Sequence, residues 1–274
     1  MGVIKVKKIK FKSGNKIPIV GFGTWNLNGK ECEKAVENAI EFGYRHIDTA
    51  DYYGNHKEVG KGINNTDIDR EKIFITSKVW KTDLQYNNVL KAAKRFLDEL
   101  NINYLDLLLI HWPNDEINLS ETFKAMLELK EDGLVKDIGV SNFTIKRLKE
   151  IPDFVKEDVV LNQVEFHPYF YQKNLLDYCI ENEIRITAYA PLARTEVFKE
   201  KIIREIADNY DKTPAQISLK WLIEKDLIVI PRSSSNEHII ENKELFNWKL
   251  AQKDMKKIDN INKQKRLVDP FNIF

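Results

Sequence analysis

The chain has 274 residues, 43% of them apolar and 11% aromatic, which is enough material for a large core, and no long stretch has the low-complexity composition of a disordered linker. Its 43 Lys and Arg balance 42 Asp and Glu to a formal charge of +1, which excludes the basic footprint of a nucleic-acid binder and the polybasic patch of a membrane-surface protein. Apolar runs such as "LLLI" at 107–110 are far too short to span a bilayer.

The amino-terminal "MGVIKVKKIKFKSG" carries lysines but no apolar core of signal-peptide length, and Val6 stands where a myristoylation signal requires Ser or Thr. A cytoplasmic monomer is expected, acting on a small molecule, with no nucleic-acid or membrane partner. An alternation at 9–19, "IKFKSGNKIPI", predicts a hairpin turning at Gly14 and Asn15. Eight short apolar segments follow: "IVGFG" (19–23), "RHID" (45–48), "IFITSK" (73–78), "LDLLLIH" (105–111), "KDIGVS" (136–141), "VLNQVE" (160–165), "RITAYA" (185–190) and "LIVIP" (227–231). Amphipathic helices lie between them, three introduced by capping-box patterns, "TDLQ" (82–85), "TPAQ" (213–216) and "SSNE" (234–237). Strict alternation implies a parallel sheet covered by helices, and eight repeats imply closure. The expected fold is therefore an α/β, (β/α)8 TIM barrel, a single domain over residues 1–274. Cys32 and Cys179 sit in amphipathic helical surroundings and read as buried thiols rather than a disulfide or metal ligands, so no metal is expected.

In such a barrel, functional groups gather where strands end. The residues falling there are Thr24, Trp25, Asp48, Lys78, Trp80, His111, Ser141, Asn142, Gln163, Tyr189 and Arg232, with Tyr53 five positions beyond Asp48. Singly, each has an ordinary explanation: Asp48 as a cap, Tyr53 as a half-buried aromatic, Lys78 as a solvated lysine, His111 as a core histidine. Together, a carboxylate, a phenol, an ammonium and an imidazole pointing into one cleft suit protonation of a carbonyl oxygen while a hydride reaches its carbon. Tyr53 would be the general acid, Lys78 would favour its phenolate, Asp48 would hold Lys78, and His111 would orient the carbonyl. Two rivals use the same residues: a Schiff-base aldolase with Lys78 as nucleophile, and a dinucleotide sensor without turnover.

No side chain carries a hydride, so a cofactor is required, yet no GxGxxG follows a strand. The segment "IPRSSSNEHIIEN" (230–242) offers a cation and serines at a strand end and helix start, either an anion site or a plain serine cap. Tyr189 offers a flat face for a planar ring. Asn142 and Gln163 can hold a carboxamide or merely solvate the mouth.

The blocks "GFGTW", "RHIDTADYYGN", "FITSKVW", "LLLIHWP", "GVSNF", "NQVEFHP", "AYAPL" and "IPRS…IIEN" resemble, over essentially the whole length, the aldo-keto reductase superfamily, and within it the microbial diketogluconate reductase-like branch. That resemblance implies NADP-linked carbonyl reduction on a barrel whose floor is closed by the amino-terminal hairpin. It implies Asp48, Tyr53, Lys78 and His111 as the catalytic tetrad. For the cofactor it implies Thr24, Trp25, Asp48 and Leu192, with Ser141, Asn142 and Gln163 on the carboxamide and Tyr189 on the nicotinamide. Arg232, Ser233, His238, Glu241 and Asn242 would surround the adenosine and its 2′-phosphate. Trp25, Trp80, His111 and Trp112, joined by Tyr52 and Phe143, would line an apolar substrate mouth. Three departures from the family pattern stand out. His56 replaces the glutamate usual after "YGN", with an expected effect on the helix start; Arg232 and His238 replace a common lysine and arginine; and the segments after "HWP" and "AYAPL" look short. NADPH is expected as cofactor with NADH usable, since an uncharged histidine attracts a phosphate less than an arginine does.

Overall fold

The computed structural model describes residues 6–268, so the ends of the chain at 1–5, within the lysine-rich amino terminus, and at 269–274 lie outside the described residues. The hairpin forms where expected. Strands β1 (Lys8–Lys10) and β2 (Lys16–Pro18) pair antiparallel with Ile9 opposite Ile17, and the turn uses Gly14 at φ 96°, a conformation open to glycine.

Eight parallel strands follow: β3 (Phe22–Gly23), β4 (His46–Asp48), β5 (Phe74–Val79), β6 (Leu105–Ile110), β7 (Val135–Ser141), β8 (Val159–Glu165), β9 (Arg185–Tyr189) and β10 (Ile228–Val229), each paired with its neighbour in sequence. They coincide with the eight apolar segments to within a few residues at each end. The last strand returns to the first. Val20 bridges Val229, Gly21 N donates to Val229 O at 2.8 Å, Val229 N to Ile19 O at 2.9 Å and Gly23 N to Pro231 O at 3.1 Å. A Cβ on Gly23 would lie 2.8 Å from the Ile230 carbonyl oxygen, so this closure requires a glycine.

Helices α1 (Gly29–Glu41), α2 (His56–Asn64), α3 (Tyr86–Leu100), α4 (Leu119–Glu131), α5 (Ile145–Lys149), α6 (Lys173–Glu181), α7 (Lys201–Tyr210), α8 (Pro214–Ile223), α9 (Asn236–Glu241) and α10 (Gln252–Asp259) complete the described elements. Helix α3 buries Val89, Ala93, Phe96, Leu97 and Leu100, the apolar stripe legible in its sequence. Of the three capping boxes only Thr213–Gln216 forms. Thr82 instead bonds Asp83 in a turn and α3 begins at Tyr86, while at α9 the Ser233 hydroxyl accepts from Ser235 N and no side chain caps the helix. In both cases the helix starts later than its pattern, with Gln85 and Ser235 as the N-cap residues.

The hairpin lies across the strands' amino-terminal ends, as expected for a floor. Asn15 Nδ2 donates to Asp137 Oδ2 at 2.9 Å, Arg185 Nε donates to the Lys10 carbonyl at 3.1 Å, and Phe11 meets Phe74 edge-on. Cys32 and Cys179 are free and buried, and burial pushes both thiols up to about 12. Among the described residues no helix is long and apolar enough to cross a membrane, and no three metal-ligating side chains are grouped to hold an ion.

Candidate active site

At the opposite, carboxyl-terminal rim, β4 ends on Asp48, β5 carries Lys78 and β6 is followed by His111. The turn Asp51–Tyr53, closed by Gly54 at φ 64°, returns the Tyr53 phenol over them. Lys78 Nζ donates to Asp48 Oδ1 at 2.6 Å, to the Thr49 carbonyl at 2.8 Å and to Tyr53 Oη at 3.3 Å. Gln163 Nε2 donates to the other carboxylate oxygen of Asp48 at 2.7 Å. Lys78 and Asp48 are 0% and 1% exposed, so this ion pair is sealed from water and each charge depends on the other.

Electrostatics follow from that burial. Desolvation pushes the Asp48 carboxyl up and the Lys78 ammonium down from their ordinary values, and their mutual contact opposes both shifts. Burial, then the negative charge of Asp48, holds the Tyr53 phenol well above its usual value. Burial, then Lys78, holds His111 well below the usual histidine value, so its imidazole is neutral at neutral pH.

The polar rim residues interlock beside this cluster. Ser141 Oγ donates to the Gln163 carbonyl at 2.8 Å, Asn142 Nδ2 to the His111 carbonyl at 2.9 Å, and Tyr189 Oη to Asn142 Oδ1 at 2.8 Å. Asn142 adopts φ 64°, a left-handed conformation that asparagine tolerates. Thr24 is buried and donates from both N and Oγ1 to the Asp48 carbonyl at 3.0 Å.

Aromatic rings cover the mouth. Tyr52 stacks between Trp25 (centroids 5.7 Å) and Trp80 (4.0 Å), and Tyr52, Tyr53 and Trp80 all present edges to His111. Trp25 and Tyr52 are 46% and 51% exposed. Trp112 and Phe143, expected at the same surface, are buried, and the Phe143 backbone is tied to Asn162. The exposed apolar surface at the mouth therefore belongs to Trp25 and Tyr52, with half-buried Trp80 beneath Tyr52.

Beyond β10, Arg232 is exposed, bonds the Trp25 carbonyl through Nε, and forms no ion pair among the described residues; Ser233 is buried beside it and His238 is exposed. Asn242 is buried, and Glu241 accepts a hydrogen bond from Thr213, tying α9 to the cap of α8. Helix α9 has only six residues, so its dipole adds little to any anion site there; the cation and hydroxyl side chains carry that reading. Leu192 is half-buried at the start of a 3-10 turn in which Ala193, Arg194 and Thr195 take positive φ.

The family model for the aldo/keto reductase family matches residues 19–263. The chain belongs to that family. Glyoxal reductase of Bacillus subtilis (strain 168) is 40% identical over 260 residues, covering 94% of both chains. Methylglyoxal reductase DkgA of Escherichia coli O157:H7 is 38% identical over 262 residues, again 94% of each. The crystal structure of MGS-M4, an aldo-keto reductase from a Medee basin deep-sea metagenome library, superposes with a TM-score of 0.94 at 39% identity, covering 97% of this chain and 99% of that one.

As an aldo/keto reductase the chain is a carbonyl reductase that works with a nicotinamide cofactor. The rim suits such a group: amide and hydroxyl side chains at Ser141, Asn142 and Gln163 stand beside the buried charges, and the exposed Arg232 guanidinium, without an ion pair among the described residues, suits a phosphate.

Two findings were not anticipated. His56 is the first residue of α2, at the helix start, and it is 2% exposed, with Nε2 2.8 Å from Ser77 Oγ and Nδ1 3.2 Å from Glu99 Oε2. Asn55, unassigned within "YGN", donates to the Thr24 and Leu27 carbonyls and accepts from Thr49 Oγ1, joining the Tyr53 turn to the loop that bears Trp25. An asparagine next to a left-handed glycine was the available signal for it.

Proposed function

We propose that the chain reduces aldehydes and some ketones to alcohols, with Tyr53 as general acid and NADPH preferred to NADH. The observation that carries this reading is the buried Lys78 Nζ, bonded at once to Asp48 and to the Tyr53 hydroxyl. A reduced nicotinamide dinucleotide in the barrel mouth supplies the hydride. Tyr53, held as the neutral phenol, gives its proton to the carbonyl oxygen. Lys78, 3.3 Å away, stabilises the phenolate left behind, and Asp48 with Gln163 keeps Lys78 charged and aimed. Neutral His111 donates a hydrogen bond that orients the carbonyl and steadies the developing alkoxide. Ser141, Asn142 and Gln163 are the residues for the carboxamide, Tyr189 for the nicotinamide face, and Thr24, Trp25 and Leu192 for the adjoining dinucleotide. Arg232, Ser233, His238, Glu241 and Asn242 are those for the adenosine end. The Schiff-base alternative fits poorly, because Lys78 Nζ spends its protons on three oxygens and is fully buried, leaving no free amine for attack.

The relatives named for glyoxal and methylglyoxal reduction, together with the Trp25–Tyr52–Trp80 stack, exposed at Trp25 and Tyr52, support α-dicarbonyls and aromatic or medium-chain aldehydes as substrates. The exposed parts of Trp25 and Tyr52 offer apolar area that holds a substrate without fixing one orientation. In a kcat/KM screen with both dinucleotides, phenylglyoxal and benzaldehyde-type substrates are expected to exceed aldose sugars. One hydroxylated sugar outperforming every apolar aldehyde by orders of magnitude would contradict this.

The cofactor preference rests on Arg232, which can pair bidentately with a 2′-phosphate, while exposed His238 contributes less than an arginine would. His238→Arg is expected to tighten NADPH over NADH by about 1 kcal/mol, the modest gain of a solvent-screened charge contact. Fluorescence titration of both dinucleotides at fixed ionic strength measures it. Equal tightening of the two would place His238 away from the phosphate.

A further inference from the structure

His56 lies outside the tetrad, yet it closes a chain of side-chain contacts around the turn that carries Tyr53. Asp51, the first residue of that turn, accepts from Arg95 Nη1 at 2.9 Å; the same nitrogen lies 3.7 Å from Glu99 Oε2; Glu99 meets His56 Nδ1 at 3.2 Å; and His56 Nε2 meets Ser77 Oγ at 2.8 Å. Ser77 immediately precedes Lys78 on β5, and His56 follows Tyr53 by three residues. The His56–Ser77 bond and the Lys78–Tyr53 bond therefore tie the same two segments together, one from behind the strand and one within the site. The His56 ring also packs at 4.7 Å on Phe96 of α3, which leaves it little freedom to turn. The order carboxylate, imidazole, hydroxyl is that of a nucleophilic triad, but Ser77 is 0% exposed and no substrate reaches it. What these contacts can do is hold a geometry.

We propose that His56 is a positioning residue for carbonyl reduction: by joining Ser77 of β5 to Glu99 of α3, it sets the separation of the Tyr53 hydroxyl from the Lys78 ammonium. The proposal rests on the function proposed above. Its physical basis is that the Lys78–Tyr53 bond is already long at 3.3 Å, so a small drift of the turn away from β5 breaks it, whereas Ser141, Asn142 and Arg232 follow or end other strands, away from the turn. Loss of the tie should therefore appear in kcat and not in dinucleotide Kd.

The test compares His56→Phe, which keeps a ring but no hydrogen bond, with Ser77→Ala, with the double variant, and with His56→Gln, which restores polar atoms to the site. Steady-state reduction of phenylglyoxal with NADPH is measured for each, with dinucleotide Kd and Tm alongside, and Val59→Ala in the same helix serves as a control for lost stability. The expected result is that His56→Phe and Ser77→Ala each lower kcat about ten- to hundredfold, the range that follows displacement of a reacting group by up to an ångström. Dinucleotide Kd should stay near that of the parent, the double variant should be no worse than the worse single, His56→Gln should recover most of the loss, and Val59→Ala should keep the parent kcat. If His56→Phe fails to fold, Ser77→Ala carries the same comparison alone. Parent-like kcat in Ser77→Ala, multiplicative loss in the double, or a Val59→Ala loss that tracks Tm would each overturn the proposal. A parent enzyme inactive on every carbonyl would instead overturn the underlying reading, and this proposal with it.

Discussion

Tyr53→Phe is expected to lower kcat for aldehyde reduction by about 10²–10⁴-fold, the usual contribution of a positioned general acid, while dinucleotide affinity is unchanged. The ring contacts explain why binding survives: Tyr53 meets Trp25 and His111 through its edges and faces, and phenylalanine keeps both while removing only the hydroxyl that Lys78 contacts. Stopped-flow and steady-state rates on one aldehyde, with Kd by fluorescence titration, check the two halves separately. A variant that kept most of its turnover would make His111 or water the donor.

Lys78→Met has the second large expected effect, and it acts on stability as well as rate. It leaves the Asp48 carboxylate 1% exposed with Gln163 and no cation, and stranding one member of a buried ion pair costs about 3–5 kcal/mol. Adding Asp48→Asn removes the stranded charge, so the double variant is expected to regain much of the stability in urea denaturation. It should remain catalytically impaired, because no ammonium is left to stabilise the Tyr53 phenolate. A double variant as unstable as Lys78→Met would mean that the ion pair is not what holds this part of the barrel together. Full activity in either variant would remove Lys78 from the chemistry.

Much of this was legible in the sequence because the barrel turns periodicity into position. Alternating apolar segments marked eight strands, and a polar residue at or just past a strand's end, such as Asp48 or His111, had to face the rim. What the sequence hid were contacts whose geometry depends on two elements meeting. His56 opens α2 like an exposed first-turn residue, and only the approach of α3 and β5 buries it against Glu99 and Ser77. Trp112 follows His111 directly, but its burial is decided by packing rather than by its neighbours in the chain. The Thr82 and Ser234 capping patterns missed because the helices begin later, after Gln85 and Ser235, and a capping pattern alone does not fix the residue at which a helix starts. The direction of the Tyr53 shift was hidden too. Lys78 favours a phenolate, but burial and Asp48 outweigh it and keep the phenol protonated.

The raised Tyr53 phenol gives the most direct test of its role as the acid. A proton donor must carry its proton, and a group whose value is raised stays protonated to higher pH, whereas His111, held low, would be a competent acid only in acidic solution. The measurement is the single-turnover rate at which bound NADPH is oxidised by phenylglyoxal, followed by nicotinamide absorbance from about pH 6 to about pH 9. With Tyr53 as the acid, the signal decays in one fast phase whose rate is flat across that range. No decay at any pH, or a rate that falls steadily as pH rises through neutrality, would contradict the account.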